Sequence, residues 1–386
     1  MKTIFTSLAP NVEKDDAQLA FRLLFSPWQW KRGPYIQKFY ETLKNYLGRE
    51  YAFVFESGRT ALYAILKCLD LKTDDEVLLQ AFTCVAVPNA VLWAGAKPVY
   101  VDCNDSYTMS VEDLKRKITP RSKVLIIQHT FGIESDMPEL MAVAREHKLF
   151  VIEDSAHALG LVKPQADAAF FSFGRDKIIS STFGGAVATN DPVLGEHLRA
   201  IKLGMLYPSG RWILQQLFYP IIMYIVRKTY DYGIGKVLLS LVRSFRLISK
   251  PVYPEEKLAK KPAWQPRRLP NAIALLALQQ FVKLERFNTH RKRIASMYQK
   301  HFSGSGILRF ALHANVPRQK GIFLGDWYTT AIAPAGVSYD AIGYDPSTCP
   351  NAERLTRDII NLPTDIHITE QDAQRIISTI KSLGAN

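Results

Sequence analysis

Cysteine is scarce in this chain of 386 residues, with four in all, and no two of them form a Cys-x-x-Cys pair. The missing spacing argues against a zinc site or a dithiol redox motif, so we predict no metal site and expect free thiols in a reducing compartment. A secretory signal is also missing, because Pro10 and then charged residues interrupt the start before an apolar core can form. We therefore expect a cytoplasmic protein.

Acidic residues are in deficit, since 36 Asp and Glu stand against 49 Lys and Arg and give a formal net charge of +13. Such an excess suits nucleic acid, anionic lipid or phosphorylated substrates, but it also describes a solvated surface without a partner. No nucleic-acid-binding motif accompanies the charge, so we predict no nucleic-acid partner. The hydrophobic content of 47% is ordinary for a globular protein.

Strand-like and helix-like segments alternate from residue 36 to residue 189. This alternation predicts an α/β fold in which helices cover both faces of a mostly parallel sheet. We assign residues 1–204 to a large domain, 205–262 to an apolar and basic insertion, and 263–386 to a smaller C-terminal α/β domain. Ligands of such sheets bind beyond the carboxyl ends of strands, where the stretches ESGRT and EDSAH fall.

Four residues, two in these stretches and two in the later stretch SFGRDK, could take part in a reaction, although each alone has an ordinary structural explanation. Gly58 lies in a strand-to-helix turn, Asp154 could cap a helix, Ser172 ends a strand, and Lys177 could be a surface lysine. Together they match the needs of pyridoxal phosphate. That cofactor requires an amine for a Schiff base, an acid against its ring nitrogen, and backbone amides and hydroxyls around its phosphate.

Several motifs extend this match along nearly the whole chain. SGRTAL, EDSAHALG and SFGRDK occur in order at 57–62, 153–160 and 172–177, preceded by RGPYIQKF at 32–39 and followed by a Leu-Pro segment at 353–372. In these motifs the sequence resembles the DegT/StrS family of sugar aminotransferases, which are pyridoxal-phosphate enzymes of fold type I. The resemblance implies a fold-type-I aminotransferase that forms a homodimer.

The resemblance also implies roles for individual residues. Lys177 would hold the cofactor covalently and move a proton during transfer, and Asp154 would keep the pyridine nitrogen protonated. His157 would reach the ring hydroxyl oxygen, while Ser172 and the amides around Gly58 would hold the phosphate. The implied reaction passes an amino group from a donor, glutamate in most relatives, to a keto-sugar on a nucleotide or lipid carrier in polysaccharide or glycan precursor synthesis.

The sequence departs from the family pattern at five positions, namely Arg59, Cys84, Gly174, Phe183 and Pro266. Cys84 stands where most relatives place an aromatic ring on the cofactor. Pro266 stands where an asparagine normally reaches the phosphate in the neighbouring subunit. We predict that the Arg59 guanidinium binds the cofactor phosphate in place of that asparagine. Contact of Arg59 with solvent, or with a phosphate of the substrate, is the equal alternative.

A second function class stays open at this point. A chain that binds pyridoxal phosphate without transaminating could serve in regulation or assembly. Retention of Lys177 and Asp154 favours the enzyme, because relatives that became dehydratases replaced the lysine.

The insertion carries an unusual pattern between residues 202 and 250, with eight basic residues and Asp231 as its only acid. Its apolar runs are too short and too interrupted to span a bilayer, which needs about 20 apolar residues. Basic ends and apolar faces instead predict a helix pair that lies on the inner face of a membrane. The alternative is that 205–250 packs on the dimer partner or covers the active site.

Overall fold

The computed structural model describes residues 2–245, 247–314, 316–317 and 319–383. The helices are α1 (Lys14–Leu24), α2 (Tyr35–Leu47), α3 (Gly58–Cys68), α4 (Ala86–Ala94), α5 (Val111–Lys117), α6 (Met137–Glu146), α7 (Pro192–Gly204), α8 (Gly210–Thr229), α9 (Ile234–Ser244), α10 (Asn271–Phe281), α11 (Leu284–Gln299), α12 (Tyr339–Ile342), α13 (Pro350–Leu355) and α14 (Glu370–Ser382). The strands are β1 (Ile4–Phe5), β2 (Tyr51–Phe55), β3 (Glu76–Gln80), β4 (Thr83–Cys84), β5 (Lys97–Val101), β6 (Ser122–Gln128), β7 (Phe150–Asp154), β8 (Ala168–Ser172), β9 (Gly185–Thr189), β10 (Arg309–His313), β11 (Ile322–Phe323), β12 (Ile332–Ala333) and β13 (Ile359–Pro363).

A seven-stranded sheet forms the centre of the large domain, with the order β2-β9-β8-β7-β6-β3-β5. Strand β9 runs antiparallel to both of its neighbours, and the other strand pairs in the sheet are parallel. The predicted α/β fold with a mostly parallel sheet is therefore confirmed. Because the parallel strands share one direction, their carboxyl ends lie at one edge, where β7 ends at Asp154 and β8 ends at Ser172.

Alternate residues of the strands pack into two separate cores, one on each face of the sheet. Phe53 and Phe55 of β2 join the core that contains α3 and α4. Ala52 and Val54 join the core that contains α2 and α10. Burial on both faces explains why these strands are apolar along their whole length.

The C-terminal part has a core of its own, in which α11 and α14 pack against the antiparallel pair β10 and β13. The N-terminal strand β1 joins this part by pairing with β11. Helix α10 belongs to the predicted small domain but packs against α2 and shares the core of the large domain. The boundaries at residues 204 and 262 stay predictions.

The insertion folds as two helices followed by a short 3-10 turn at Pro254–Leu258. Helix α8 packs against α1, and its apolar run is largely buried, including Trp212, Leu217 and Met223. Helix α9 packs on α8 and exposes much of its apolar surface. No helix in the described part of the chain is both long and apolar enough to cross a membrane.

Two backbone segments approach each other closely where β9 begins beside the start of α3. A Cβ added to Gly185 would lie 2.3 Å from the Gly58 nitrogen. We expect Gly185→Ala to lower the free energy of unfolding by about 1–3 kcal/mol, because backbone atoms cannot move aside as a side chain can. Gly210→Ala is the control, since an added Cβ there meets nothing within 4 Å. Urea unfolding that is equal in both variants would contradict the close approach.

Candidate active site

A cavity of about 630 Å³ opens at the carboxyl edge of the central sheet. All of the predicted site residues line it, namely Gly58, Arg59, Asp154, His157, Ser172 and Lys177. They come from the turn between β2 and α3, the end of β7, the end of β8 and the loop between β8 and β9. The parallel topology thus brings together residues that lie up to about 120 positions apart in the sequence.

Lys177 projects into the cavity from the loop that joins β8 to β9. Two hydrogen bonds hold this loop, since Phe173 N donates to Gly184 O at 2.8 Å and the Asn11 side-chain Nδ2 donates to Lys177 O at 2.6 Å. The Lys177 Nζ atom lies 2.8 Å from His157 Nε2 and 5.3 Å from the centre of the Trp327 ring. Burial lowers the pKa of Lys177 and thereby favours the free amine, which is the nucleophilic form.

The hydrogen bonds of His157 fix which of its nitrogens carries the proton. Its Nδ1 atom accepts from Phe131 N at 3.2 Å, and burial holds the pKa of the ring well below its usual range. The neutral ring therefore carries its proton on Nε2 and donates toward Lys177 Nζ. The ring lies nearly parallel to the rings of Phe131 and Trp327, with interplanar angles of 5° and 18°. His157 thus presents a rigid donor to the cavity.

Asp154 presents a carboxylate oxygen that no protein group occupies. Its Oδ1 atom accepts from Ala156 N at 3.0 Å, whereas Oδ2 has no hydrogen-bond partner among the described residues. Burial raises the pKa of Asp154, and the charges of Lys177 and His129 oppose that rise. A cationic ring nitrogen at Oδ2 would restore the ionised form, as a pyridoxal ring requires.

The neighbouring acid of the EDSAH motif has a structural role. Glu153 is fully buried, and its Oε2 atom lies 3.0 Å from His129 Nε2. Its other oxygen accepts from Ala166 N at 2.6 Å. Two adjacent carboxylates therefore serve different purposes, because successive residues of a strand point to opposite faces of the sheet.

The amino end of α3 forms an anion site next to Ser172. Ser57 caps the helix by accepting from Thr60 N at 3.1 Å, and Gly58 is the first helical residue. A Cβ on Gly58 would lie 2.8 Å from the Ser172 Cβ, so only glycine allows this approach. Free amides, the helix dipole and the Ser172 hydroxyl suit a phosphate group. The cavity residues therefore fit each part of pyridoxal phosphate.

Arg59 does not face solvent, because its guanidinium is buried against the insertion. Its Nη1 atom lies 2.7 Å from Glu256 Oε1, and its Nη2 atom donates to Pro251 O at 3.3 Å. The ion pair attaches α3 to the 3-10 turn of the insertion. Binding of the cofactor phosphate by Arg59 stays a prediction.

Other cavity residues have no motif in the sequence that predicts them. Trp327 and Tyr328 enter from the C-terminal part, and Pro251 and Val252 enter from the insertion. Trp327 lies beside His157 and Lys177, and Cys84 lines the same cavity. Their positions depend on packing between distant segments. Arg175 is different, because it lies inside the SFGRDK motif and also lines the cavity.

A family model described as the DegT/DnrJ/EryC1/StrS aminotransferase family matches residues 10–211. The chain belongs to this family. The resemblance predicted from the motifs is thus confirmed. Membership also confirms the predicted class of enzyme, an aminotransferase, and its cofactor, pyridoxal phosphate.

Some curated relatives of this chain carry names that refer to nucleotide-linked sugars. The chain is 25% identical over 403 residues to GDP-perosamine synthase of Caulobacter vibrioides, with 96% of each chain covered. It is 28% identical to UDP-N-acetyl-3-dehydro-alpha-D-glucosamine 3-aminotransferase of Acidithiobacillus ferrooxidans, covering 84% of this chain and 82% of the relative. A putative sugar aminotransferase of Streptococcus pneumoniae in its PMP form shares the fold, with a TM-score of 0.74, 20% identity, and coverage of 99% of this chain and 97% of that one.

Replacement of His157 tests its donor role. We expect His157→Gln to keep kcat within about tenfold of wild type, because an amide N–H can replace Nε2–H. His157→Leu removes the donor, and we expect a loss of about 10- to 100-fold, the scale of a hydrogen bond to a charged group. Steady-state kinetics and the absorption maximum of the bound cofactor report both effects. Equal kinetics in the two variants would refute the donor assignment.

Proposed function

We propose that this enzyme transfers an amino group from glutamate to a keto-sugar carried on a nucleotide, for the synthesis of polysaccharide or glycan precursors. The observation that carries the proposal is the convergence of Lys177, Asp154, His157 and the start of α3 on one cavity. Its volume of about 630 Å³ suits a cofactor together with a sugar. The names of the curated relatives support a nucleotide as the carrier. A lipid carrier is the alternative.

The residues of the chain divide the work between them. Pyridoxal phosphate, when bound, withdraws electrons from the carbon that bears the amino group. Lys177 would take the proton from that carbon as a base and deliver it as an acid to the adjoining C4′ carbon of the cofactor, since burial lowers the pKa of Lys177. Asp154 would pair with the ring nitrogen, and His157 would donate to the ring hydroxyl oxygen. Trp327 and Phe183 line the cavity and limit its contact with water.

A second candidate is a protein that binds the cofactor without transamination. Retention of both Lys177 and Asp154 in a single cavity favours catalysis over this alternative. A panel of amino acids separates the two candidates. Loss of the absorbance of the bound cofactor on addition of glutamate supports the aminotransferase, and no change with any donor supports the second candidate.

Substitution at Lys177 and Asp154 tests the assigned roles. We expect Lys177→Ala to abolish turnover and to prevent borohydride from fixing the cofactor to the chain. Asp154→Asn should retain cofactor but lose roughly 100-fold or more in kcat, because a neutral amide cannot keep the ring nitrogen protonated. Mass spectrometry of the reduced protein and steady-state kinetics measure these effects. A fully active Asp154→Asn variant would show that another acid serves the ring.

We also propose that the enzyme is a homodimer, as the resemblance implies. Pro266 lies where the family places an asparagine that reaches the neighbouring subunit, and proline has no side-chain donor. The cavity here is lined by Pro251 and Val252 of the same chain. Light scattering of the holoenzyme measures the oligomeric state directly.

We further propose that α9 contacts an anionic membrane surface from the cytoplasmic side. Apolar side chains are exposed at Ile234, Val237, Leu241 and Phe245, a spacing that places them along one side of the helix. The exposed bases Lys236 and Arg243 lie on the other side of α9, so both kinds of side chain reach solvent. A chain with a net charge of +13 is complementary to anionic lipid. The buried apolar run of α8 takes no part.

Liposome flotation tests this contact. We expect the protein to float with vesicles that contain phosphatidylglycerol and to remain below neutral phosphatidylcholine vesicles. Ile234→Ser, Leu241→Ser and Phe245→Ser together should reduce the floated fraction by about tenfold, because they remove the apolar anchor. The matched control changes two apolar residues exposed elsewhere, Val193→Ser and Val282→Ser. Absence of flotation by the intact protein on both lipids would exclude the membrane contact.

A further inference from the structure

Arg175 reaches the cavity with a side chain that the insertion holds in place. Its guanidinium carbon lies 4.3 Å from the centre of the Tyr219 ring in α8. Its Nη2 atom donates to Ser249 Oγ at 2.9 Å, and that hydroxyl donates in turn to Gln216 Oε1 at 2.8 Å. A ring face and a chain of hydrogen bonds therefore fix the direction of the guanidinium.

No carboxylate forms an ion pair with this guanidinium in the described part of the chain. Arg175 has no ion pair within 4.0 Å there, and its buried Nε atom has no hydrogen-bond partner. Asp176 is near enough to interact electrostatically with Arg175, but its ion pair is with Arg309 at 3.7 Å, and Glu256 pairs with Arg59 at 2.7 Å. A confined guanidinium that no carboxylate contacts is costly, so an anionic ligand beside it would stabilise it.

An anionic ligand at Arg175 would lie in the cavity that also contains the predicted oxyanion-binding groups. Arg175 lines the same cavity as Gly58 and Ser172, and only Phe173 and Gly174 separate it from Ser172 in the chain. We propose that Arg175 is a phosphate-binding residue of this cavity, acting together with Ser172 and the amino end of α3. The phosphate belongs either to the cofactor or to the nucleotide of the substrate. The second possibility rests on the proposed function.

The ion-pair partners of the two arginines favour Arg175 over Arg59 as the phosphate ligand. Glu256 already balances Arg59, and the pair attaches the insertion to α3. Arg175 forms no ion pair with the described residues. Its guanidinium contacts Tyr219 and Ser249 of the insertion, and Gln216 orients the Ser249 hydroxyl. The insertion therefore orients a cationic donor within one chain, where Pro266 has removed the donor that the family takes from the neighbouring subunit.

The test compares phosphorylated and unphosphorylated forms of the cofactor. Apoenzyme is titrated with pyridoxal phosphate and with pyridoxal, for wild type, for Arg175→Met and for the control Arg199→Met, whose side chain is exposed. We expect Arg175→Met to weaken pyridoxal phosphate by about 10- to 100-fold and to leave pyridoxal unchanged, because only the former carries the phosphate. Inorganic phosphate should compete with pyridoxal phosphate for wild type and not for Arg175→Met.

A second arm assigns the source of the phosphate. Unchanged affinity for pyridoxal phosphate, with binding of GDP or UDP to the holoenzyme weakened by about tenfold or more, would assign Arg175 to the nucleotide of the substrate. Unchanged affinity for the cofactor and for both nucleotides would overturn the proposal. Circular dichroism confirms folding, and Arg175→Gln, which also removes the charge, replaces Arg175→Met if the latter does not fold. The Lys177→Ala and amino-donor experiments test the transamination separately, so the two failures are distinguishable.

Discussion

The burial of one amine, that of Lys177, is the constraint on which the rest of the cavity depends. Removal from water disfavours the charged ammonium and lowers the pKa of Lys177, which favours the nucleophilic amine. The same burial keeps His157 neutral, so that its remaining proton can lie on Nε2 and point at Lys177. Asp154 then supplies a carboxylate oxygen that has no hydrogen-bond partner among the described residues. The role of each of these three groups therefore depends on the protonation states of the other two.

The burial of Lys177 depends on backbone segments that approach each other closely. The central sheet brings the ends of β2, β7 and β8 to one edge, and glycine allows α3 to begin directly beside β8 and β9. Side chains at Gly58 or Gly185 would separate these segments and admit water. The amides at the start of α3 are thereby left for a ligand, because the cap Ser57 satisfies only the Thr60 amide.

The insertion forms part of the wall of the cavity at the edge of the sheet. Its 3-10 turn binds α3 through the pair of Glu256 and Arg59, and its residues Pro251 and Val252 form part of the wall. Helix α8 holds this arrangement by packing its apolar run on α1. That packing accounts for the difference from the sequence pattern, which treated both helices alike as membrane-facing. The apolar residues of α8 are mostly buried, whereas one apolar side of α9 is exposed.

The sequence by itself determined the alternating α/β order, the family and the residues that bear the chemistry, because these depend on local periodicity and on short motifs such as SFGRDK. Only the tertiary structure decided which charges meet. The partners Arg59 and Glu256 are 197 positions apart, and Trp327 reaches Lys177 from the other end of the chain. Contacts of that kind depend on how separate elements pack, and no local pattern encodes them. The surroundings of Arg175 depend on packing for the same reason, since the ion pair of the neighbouring Asp176 is with Arg309 of the C-terminal part.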